Sequence, residues 1–399
     1  MKETRKKYDM LTDNPGKSLL FFVLPMILGN LFQQFYNITD SVVVGKFVGE
    51  QALAAVGASY AITNVFIAIA IGGGIGSSVV ISQFLGAGKL AKMKTAVYTT
   101  MFNFLGIAAF LAAVGLLFNN RILNLVNVPE DIFSDAALYL AIYFLGLPFL
   151  FMYNVQASIF NALGDSKKPL YLLIFSSLLN IVLDMILVII FKQGVRGVAL
   201  ATLIAQGISA VISFLLLMRK LKGYPAEEPV RLYSGEMAVS MVKIAVPSTL
   251  QQCVVSMGHM AIQRVINHFD ITAGYTAATR IESFILIPIQ GFFMGMATFT
   301  GQNLGGGKLS RISKAVKETV LMSLVVVAAV IGIIYPFAPQ LVRIFGVTGD
   351  SGDVAVMYLR FVALAFVVFC IYFSINGVLQ GSGDVVFTAF NTFSGLVIK

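Results

Sequence analysis

The sequence predicts an all-α integral membrane protein, and two observations carry that prediction. The 399 residues are 58% hydrophobic and only 12% charged, with a mean hydropathy of +0.86, whereas soluble domains carry about 25% charged residues. Apolar runs also recur along the chain without strict alternation, and they are far longer than the strands of a membrane β-barrel, which have about 10 residues. A helix that crosses a bilayer needs about 20 mostly apolar residues, so these runs predict membrane helices.

Gly, Pro and charged residues divide the chain into ten predicted spans and a partial eleventh. The first run begins near Ser18 and lacks a cleavage pattern, which indicates a transmembrane helix rather than a signal peptide. The spans of the first half are 18–44, 52–82, 94–118, 134–162, 169–191 and 196–218. A polar linker, 219–238, precedes spans at 240–266, 271–301, 315–341 and 354–380, and a last apolar run starts at Val385.

Basic residues predict the orientation. The amino terminus and the loops on its side carry 19 Lys and Arg residues, against 8 on the other side and in the spans. The positive-inside rule therefore places the amino terminus in the cytoplasm, in a multi-pass protein of the plasma (inner) membrane. The same rule accounts for the net charge of +9, so we expect the lipid bilayer and no nucleic acid as a partner.

The two halves of the chain repeat each other at an offset of about 219 residues. The segment 83–90 (QFLGAGKL) matches 302–309 (QNLGGGKL), Tyr139-Leu140 matches Tyr358-Leu359, and Gly164-Asp165 matches Gly383-Asp384. The offset encloses six spans, which predicts two bundles related by a pseudo-twofold axis along the membrane normal, with a cleft between them. We expect an N-lobe at 15–222 and a C-lobe at 237–399. Counterparts of residues 181–218 would lie at 400–437, so the second bundle is expected to be truncated within its eleventh helix.

Nucleotide and catalytic chemistry are both disfavoured. A P-loop needs a Gly five residues before the Gly of its Gly-Lys pair and Ser or Thr after the Lys. Gln83 and Leu90 occupy those positions around Gly88-Lys89, and the second copy fails in the same way. With two histidines we identify no metal cluster or hydrolase arrangement. We therefore expect no ATP use, no enzyme activity and no cofactor beyond a coupling ion, Na⁺ or H⁺.

Carboxylates inside membrane helices mark the candidate cation site. Each costs about 2.5 to 3.5 kcal/mol at the bilayer centre, so each is a functional hypothesis. Asn180 and Asp184 share one helical face, and Thr202 and Asp40 could join them in an all-oxygen set that suits Na⁺ or a shared proton. The alternatives are headgroup-level carboxylates for Asp40 and Asp184, and a hydroxyl bonded to its own helix for Thr202.

Other polar and aromatic residues are candidates for a hinge or a substrate cavity. Pro25 lies within the first helix, where it predicts either a hinge or a static kink. Glu282 could face a cationic substrate or form an ion pair with Arg280 or Arg264, and His259 could carry protons or be a buried hydrogen-bonding residue. The predicted substrate-cavity residues are Gln34, Asn154, Met257, His259, Glu282 and Phe292.

The chain resembles the multidrug and toxic compound extrusion (MATE) family over residues 15–399. The resemblance rests on 33–40 (QQFYNITD), 50–57 (EQALAAVG), the loops at Gly86 and Gly305, and the paired Gly-Asp turns. It implies twelve helices in two six-helix lobes and the export of organic cations in exchange for Na⁺ or H⁺. The DinF-like branch has an Asp, Asn, Asp and Thr cation site in its amino lobe, and its first-helix proline is associated with bending. Those residues match Asp40, Asn180, Asp184, Thr202 and Pro25.

The sequence therefore predicts a monomeric secondary active exporter of cationic or other amphipathic compounds that works by alternating access. The other branches of the family carry a membrane carboxylate in the seventh or tenth helix, which this chain lacks. One alternative is a flippase for a lipid-linked saccharide, which a basic central cavity would favour. A second is an ion channel, which the two-lobe repeat disfavours.

Overall fold

The computed structural model describes residues 8–266 and 271–398, and they are helical as predicted. Ten of the helices are long and apolar enough to cross a membrane, which confirms a multi-pass all-helical protein. Six helices belong to the first half: α1 Pro15–Phe47, α2 Glu50–Gly86, α3 Leu90–Leu125, α4 Glu130–Ala162, α5 Lys167–Asp184 and α6 Gly194–Lys222. Five belong to the second: α7 Gly235–Ile266, α8 Thr272–Gly305, α9 Leu309–Ile344, α10 Gly349–Ser382 and α11 Val385–Ile398.

Several helices continue past their predicted spans, because hydropathy marks the membrane-crossing part of a helix and not its ends. The clearest case is α6, whose last turn carries Arg219, Lys220 and Lys222. Basic side chains stabilise the negative end of the helix dipole, so the polar linker shrinks from the expected 219–238 to residues 223–234. A six-residue π-helical segment, Met185–Ile190, continues the fifth span after Asp184.

The chain separates into two compact units. Unit 1 comprises Met1–Ile27, Gly86–Gly88 and Leu250–Lys399, and unit 2 comprises Leu28–Leu85 and Lys89–Thr249. The main core of unit 2 is built on buried side chains of α3 and α4, including Phe104, Phe144 and Phe151. A core of unit 1 lies among α8, α9 and α10 around Phe366.

Glycines let the first half of α1 approach α8 closely within unit 1. An added Cβ at Gly291 would lie 2.7 Å from Ile27 Cγ1, and one at Gly295 would lie 2.2 Å from Val23 Cγ2. Lipid tails are as apolar as the helix surface, so the hydrophobic effect does not favour helix association within the membrane. Helices associate there through such close packing of small residues. Buried Leu19, Val23 and Phe292 complete this contact.

An ion pair ties the α4–α5 loop to the end of α6. The Lys220 ammonium donates a hydrogen bond to Asp165 Oδ2, and Lys168 Nζ lies 3.7 Å from the same oxygen. Burial raises the pKa of the Asp165 carboxyl, but the charge and hydrogen bond of Lys220 outweigh burial and lower the pKa below its usual value. The folded state therefore favours ionised Asp165.

A carboxyl whose pKa is lower in the folded than in the unfolded state stabilises the fold at any pH above its unfolded pKa, which is about 3.9 for Asp. That stabilisation is lost as the pH falls through the folded pKa. We expect Lys220→Met to lower the free energy of unfolding at neutral pH by about 1.5 to 3 kcal/mol, the worth of a charged hydrogen bond. The deficit should shrink at acidic pH in thermal melts. Lys314→Met, which removes the exposed pair with Glu318, should cost less than about 1 kcal/mol. Equal losses in the two variants would contradict this assignment.

Candidate cation site

Three helices of unit 2 bring the predicted cation residues together. Asp40 lies on α1, Asn180 and Asp184 on α5, and Thr202 on α6. Asp184 is 1% exposed and Asn180 is 2% exposed, and the carboxyl groups of Asp40 and Asp184 are in hydrogen-bond contact. The structure therefore places all four residues next to one another, and their use as a cation site stays a prediction.

The orientation of the Asn180 amide decides what the site can hold. With its nitrogen toward Asp184, Asn180 donates to Asp184 Oδ2 at 3.2 Å and to the Tyr36 hydroxyl at 2.7 Å, and its oxygen accepts from the Thr202 N–H at 3.1 Å. The opposite orientation, in which Tyr36 donates to Asn180 Oδ1, would set that oxygen against the carboxylate. We therefore adopt the first orientation.

Two ionised carboxylates in contact repel each other, so the pair either shares a proton or holds a cation between its oxygens. Asp40 Oδ1 and Asp184 Oδ1 have no hydrogen-bond partner among the described residues, so each has a lone pair left to bind one. A shared proton suits the adopted amide orientation. A half-turn of the Asn180 amide would add its oxygen to the ligands of a Na⁺ ion, and Thr202 Oγ1, which donates to the Val198 carbonyl at 3.2 Å, keeps a free lone pair for the same ion.

Two tyrosines at this site were missed by sequence reasoning. Tyr36 contacts Asn180, and Tyr139 lies within electrostatic reach of both Asp40 and Asp184. Two signals could have identified them. Tyr36 precedes Asp40 by one helical turn, and Tyr139 belongs to a pair that the internal repeat had singled out.

A polar cavity adjoins the site within unit 2. Tyr36, Asn180 and Thr202 belong to both the site and the cavity wall. Most of the lining residues carry a hydroxyl or an amide group, and the full set is Gln33, Tyr36, Tyr153, Leu173, Ser176, Ser177, Asn180, Thr202, Ala205 and Gln206. Such a wall can hold water or small ions next to the carboxyl pair.

The predicted substrate-cavity residues belong to several helices and to both units. Gln34 is half-buried, while its neighbour Gln33 lines the polar cavity. Asn154 donates to its own helix, at the Leu150 carbonyl. Phe292 is 3% exposed and packs in the apolar core instead of lining a cavity. The side chains of Met257 and His259 lie outside the described residues.

Glu282 of α8 is held by a tyrosine and not by an arginine among the described side chains. The Tyr358 hydroxyl donates to Glu282 Oε2 at 2.7 Å, and the Tyr275 ring meets the Tyr358 ring edge-on at 5.6 Å. Arg280 forms no ion pair with Glu282 within the described part of the chain, and the Arg264 side chain lies outside it. Among the described side chains, the partner of the Glu282 carboxyl is therefore a neutral hydroxyl and not a cationic group.

Pro25 lies inside α1, which is helical from Pro15 to Phe47. A proline in a helix interior leaves one carbonyl without its usual partner and weakens the helix locally. Pro25 also belongs to the half of α1 that packs in unit 1, whereas Asp40 belongs to unit 2. Pro25 therefore lies within the packed part of α1 and precedes Asp40 in the same helix.

Comparisons with known proteins agree with this architecture. The probable multidrug resistance protein YpnP of Bacillus subtilis is 29% identical over 380 residues, covering 95% of this chain and 85% of the relative. The probable multidrug resistance protein YoeA of the same organism is 29% identical over 384 residues, covering 92% and 82%. A crystal structure of MATE in the straight conformation shares the fold, with a TM-score of 0.90, 24% identity and coverage of 99% of this chain and 89% of that one.

The family comparison covers both halves of the chain. A family model described as MatE matches residues 25–186 and 247–399. These segments contain Asp40 and Asn180 in the first half and Glu282 in the second. Because the model matches more than half of the chain, this protein belongs to the MatE family and is a membrane transporter, not an enzyme.

Proposed function

We propose that this protein is a secondary active multidrug exporter that exchanges cationic or other amphipathic organic compounds for H⁺ or Na⁺. The observation that carries the proposal is the contact between Asp40 and Asp184, which can hold one small cation inside a membrane helix bundle. The names of the Bacillus relatives support multidrug substrates. The set Asp40, Asn180, Asp184 and Thr202 supports the DinF-like branch of the family.

The proposal includes the membrane topology and the transport cycle. The amino terminus is cytoplasmic, the lobes are 15–222 and 237–399, they are related by a pseudo-twofold axis, and the monomer is the working unit. Binding of the coupling ion at Asp40 and Asp184 would change the contacts of α1, and bending at Pro25 would convert that change into substrate release.

Transport in proteoliposomes tests the function. The purified protein is reconstituted with a fluorescent organic cation, and a Na⁺ gradient, a pH gradient or neither is imposed. We expect export with at least one gradient and none without. Exchange of one proton for one monovalent cation moves no net charge, so an imposed membrane potential, worth about 2.3 kcal/mol per charge per 100 mV, should then add nothing. Equal dye movement with and without the gradients would exclude coupled export.

Glu282 is proposed to bind the positive charge of the substrate. The carboxylate beside the Tyr275 and Tyr358 rings suits an organic cation, which interacts with both charge and aromatic faces. We expect Glu282→Gln to raise the KM for a cationic dye about tenfold, equivalent to about 1.4 kcal/mol. Uptake of an uncharged amphipathic substrate should be unchanged. An equal effect on the charged and uncharged substrates would show that Glu282 acts through folding and not through charge.

A further inference from the structure

Four buried side-chain oxygens on α4 and α6 have no hydrogen-bond partner among the described residues. They are Gln156 Oε1, Asn161 Oδ1, Ser209 Oγ and Ser213 Oγ. Gln156 is 1% exposed, Ser209 0% and Ser213 1%. Buried polar groups in native proteins nearly always have a protein or water partner, so these oxygens indicate a ligand that the protein itself does not supply.

These oxygens continue the lining of the polar cavity. On α6, Thr202 and Gln206 line the cavity, and Ser209 and Ser213 follow at spacings of three and four residues, which keeps all four on one helical face. On α4, Tyr153 lines the cavity, and Gln156 follows three residues later. Both helices therefore extend the polar surface away from the carboxyl pair.

Contacts between the two helices fix their register. An added Cβ at Gly146 would lie 2.9 Å from Leu203 Cδ1, and one at Gly207 would lie 3.8 Å from Phe149 Cγ. Both contacts pair α4 with α6 residues 57 or 58 positions further along the chain. At that offset Gln156 is level with Ser213, so the unpartnered groups of the two helices lie at the same depth.

The polar series ends at the ion pair of Asp165 and Lys220. At the depth between Ser213 and that ion pair, the two helices carry Phe160 and Leu217, each 0% exposed. Asn161 is the polar residue next to them on α4. Asp165 is 20% exposed, which brings the series to the protein surface. From Thr202 to Lys220 the distance along α6 is about 27 Å.

We propose that unit 2 holds a file of bound waters between α4 and α6 that conducts protons between the Asp40–Asp184 pair and the surface at Asp165. A buried water typically makes about three hydrogen bonds to otherwise unsatisfied groups, which is what Gln156, Ser209 and Ser213 offer. Each water accepts a proton on one side and releases one on the other. One positive charge therefore moves along the file, and every water molecule is regenerated. The proposal rests on the proposed function, because it takes the carboxyl pair to bind the coupling proton.

Such a file separates the route of the proton from that of the substrate. A bulky organic cation cannot follow a single file of waters, and a sodium ion cannot hop along one as a proton does. The basic residues of Lys167, Lys168 and Lys220 surround the outer end of the file, on the side that the charge distribution assigns to the cytoplasm. The file would therefore connect the carboxyl pair to the cytoplasm.

Removal of the two serine hydroxyls tests the file without adding bulk. Wild-type protein, the double variant Ser209→Ala/Ser213→Ala and the control Ser59→Ala/Ser77→Ala are reconstituted in liposomes that contain a pH-sensitive dye. The control serines are equally buried, but their hydroxyls donate to the Ala55 and Gly73 carbonyls. An external pH step is then applied with an organic cation present as substrate, and K⁺ with valinomycin dissipates the potential.

We expect wild type and control to conduct protons in exchange for the organic cation, and the Ser209/Ser213 variant to do so about tenfold more slowly, the effect of about 1.4 kcal/mol on a rate. Its thermal stability should stay at or below that of wild type, because the hydroxyls hold water. A dry site would instead gain stability on losing unpartnered hydroxyls. Wild-type conduction by the variant, a raised Tm, or no conduction by wild type would each overturn the file. Dye export by the same liposomes under a pH gradient, and its loss in Asp184→Asn, would still uphold the proposed function.

Discussion

Replacing Asp184 with asparagine is expected to abolish coupled export while the protein still inserts and folds. The amide keeps the size and most hydrogen bonds of the carboxyl group, but it can neither bind a proton nor neutralise a cation. Asp184 lies 1% exposed beside Asp40, so its replacement leaves a single carboxyl group at the described site and removes the pair that holds the coupling ion. Gradient-driven dye export in proteoliposomes should fall to the level of protein-free liposomes.

The matched control is Asp135→Asn, which changes an exposed carboxylate on α4. This variant should export at the wild-type rate. Size-exclusion profiles and thermal melts of both variants establish that each is folded. Undiminished export by folded Asp184→Asn protein would mean that coupling occurs elsewhere.

Gly86→Ala is expected to destabilise unit 1 strongly. An added Cβ at Gly86 would lie 1.8 Å from the Gln302 carbonyl oxygen and 2.8 Å from Gln302 Cα. Backbone atoms cannot move aside as a flexible side chain can, so the contact must open. Overpacking of this kind costs about 1 to 3 kcal/mol, and we expect a lower Tm in detergent.

Gly106→Ala serves as the control, because a Cβ there meets nothing within 4 Å and alanine favours a helix over glycine by about 1 kcal/mol. Its Tm should be equal to or above that of wild type. If Gly86→Ala and Gly106→Ala have the same Tm, the close approach of Gly86 to Gln302 does not exist in solution.

The two loops that contain Gly86 and Gly305 are repeats of each other in the sequence. Their contact explains why both are rich in glycine.

Hydropathy, with the Gly, Pro and charged residues that separate the apolar runs, was sufficient to predict the helices, because the bilayer imposes both length and composition on each span. The ends of the helices were less predictable, as α6 shows, since capping and dipole effects act over a single turn. Asp40 and Asp184 could be proposed in advance, because buried carboxylates are rare enough in membrane helices to stand out. Thr202 was preferred as a member of the proposed set only through the family resemblance.

Side chains without a charge were harder to assign. Phe292 and Phe293 are adjacent in sequence, and the helical rotation of about 100° between them sends one into the core and leaves the other half-buried. Serines such as Ser209 and Ser213 carry no sequence signal that distinguishes them from Ser59, whose hydroxyl is bonded to its own helix. Only the arrangement of neighbouring helices reveals which hydroxyls lack a partner.

The central claim is that protons and Na⁺ compete for the carboxyl pair of Asp40 and Asp184. A ligand that binds only the folded state stabilises it, by about 2.7 kcal/mol at a concentration 100 times its dissociation constant. Because Na⁺ needs the ionised carboxylates, protonation should displace it as pH falls.

Thermal melts of the purified protein with and without Na⁺, at about pH 7.5 and about pH 5.5, measure this competition through the linkage of binding to stability. A K⁺ salt at equal ionic strength serves as the control. We predict that Na⁺ raises the Tm at the higher pH, raises it little or not at all at the lower pH, and has no effect on Asp184→Asn at either. Equal protection at both pH values, or none at either, would contradict a shared site for the two ions.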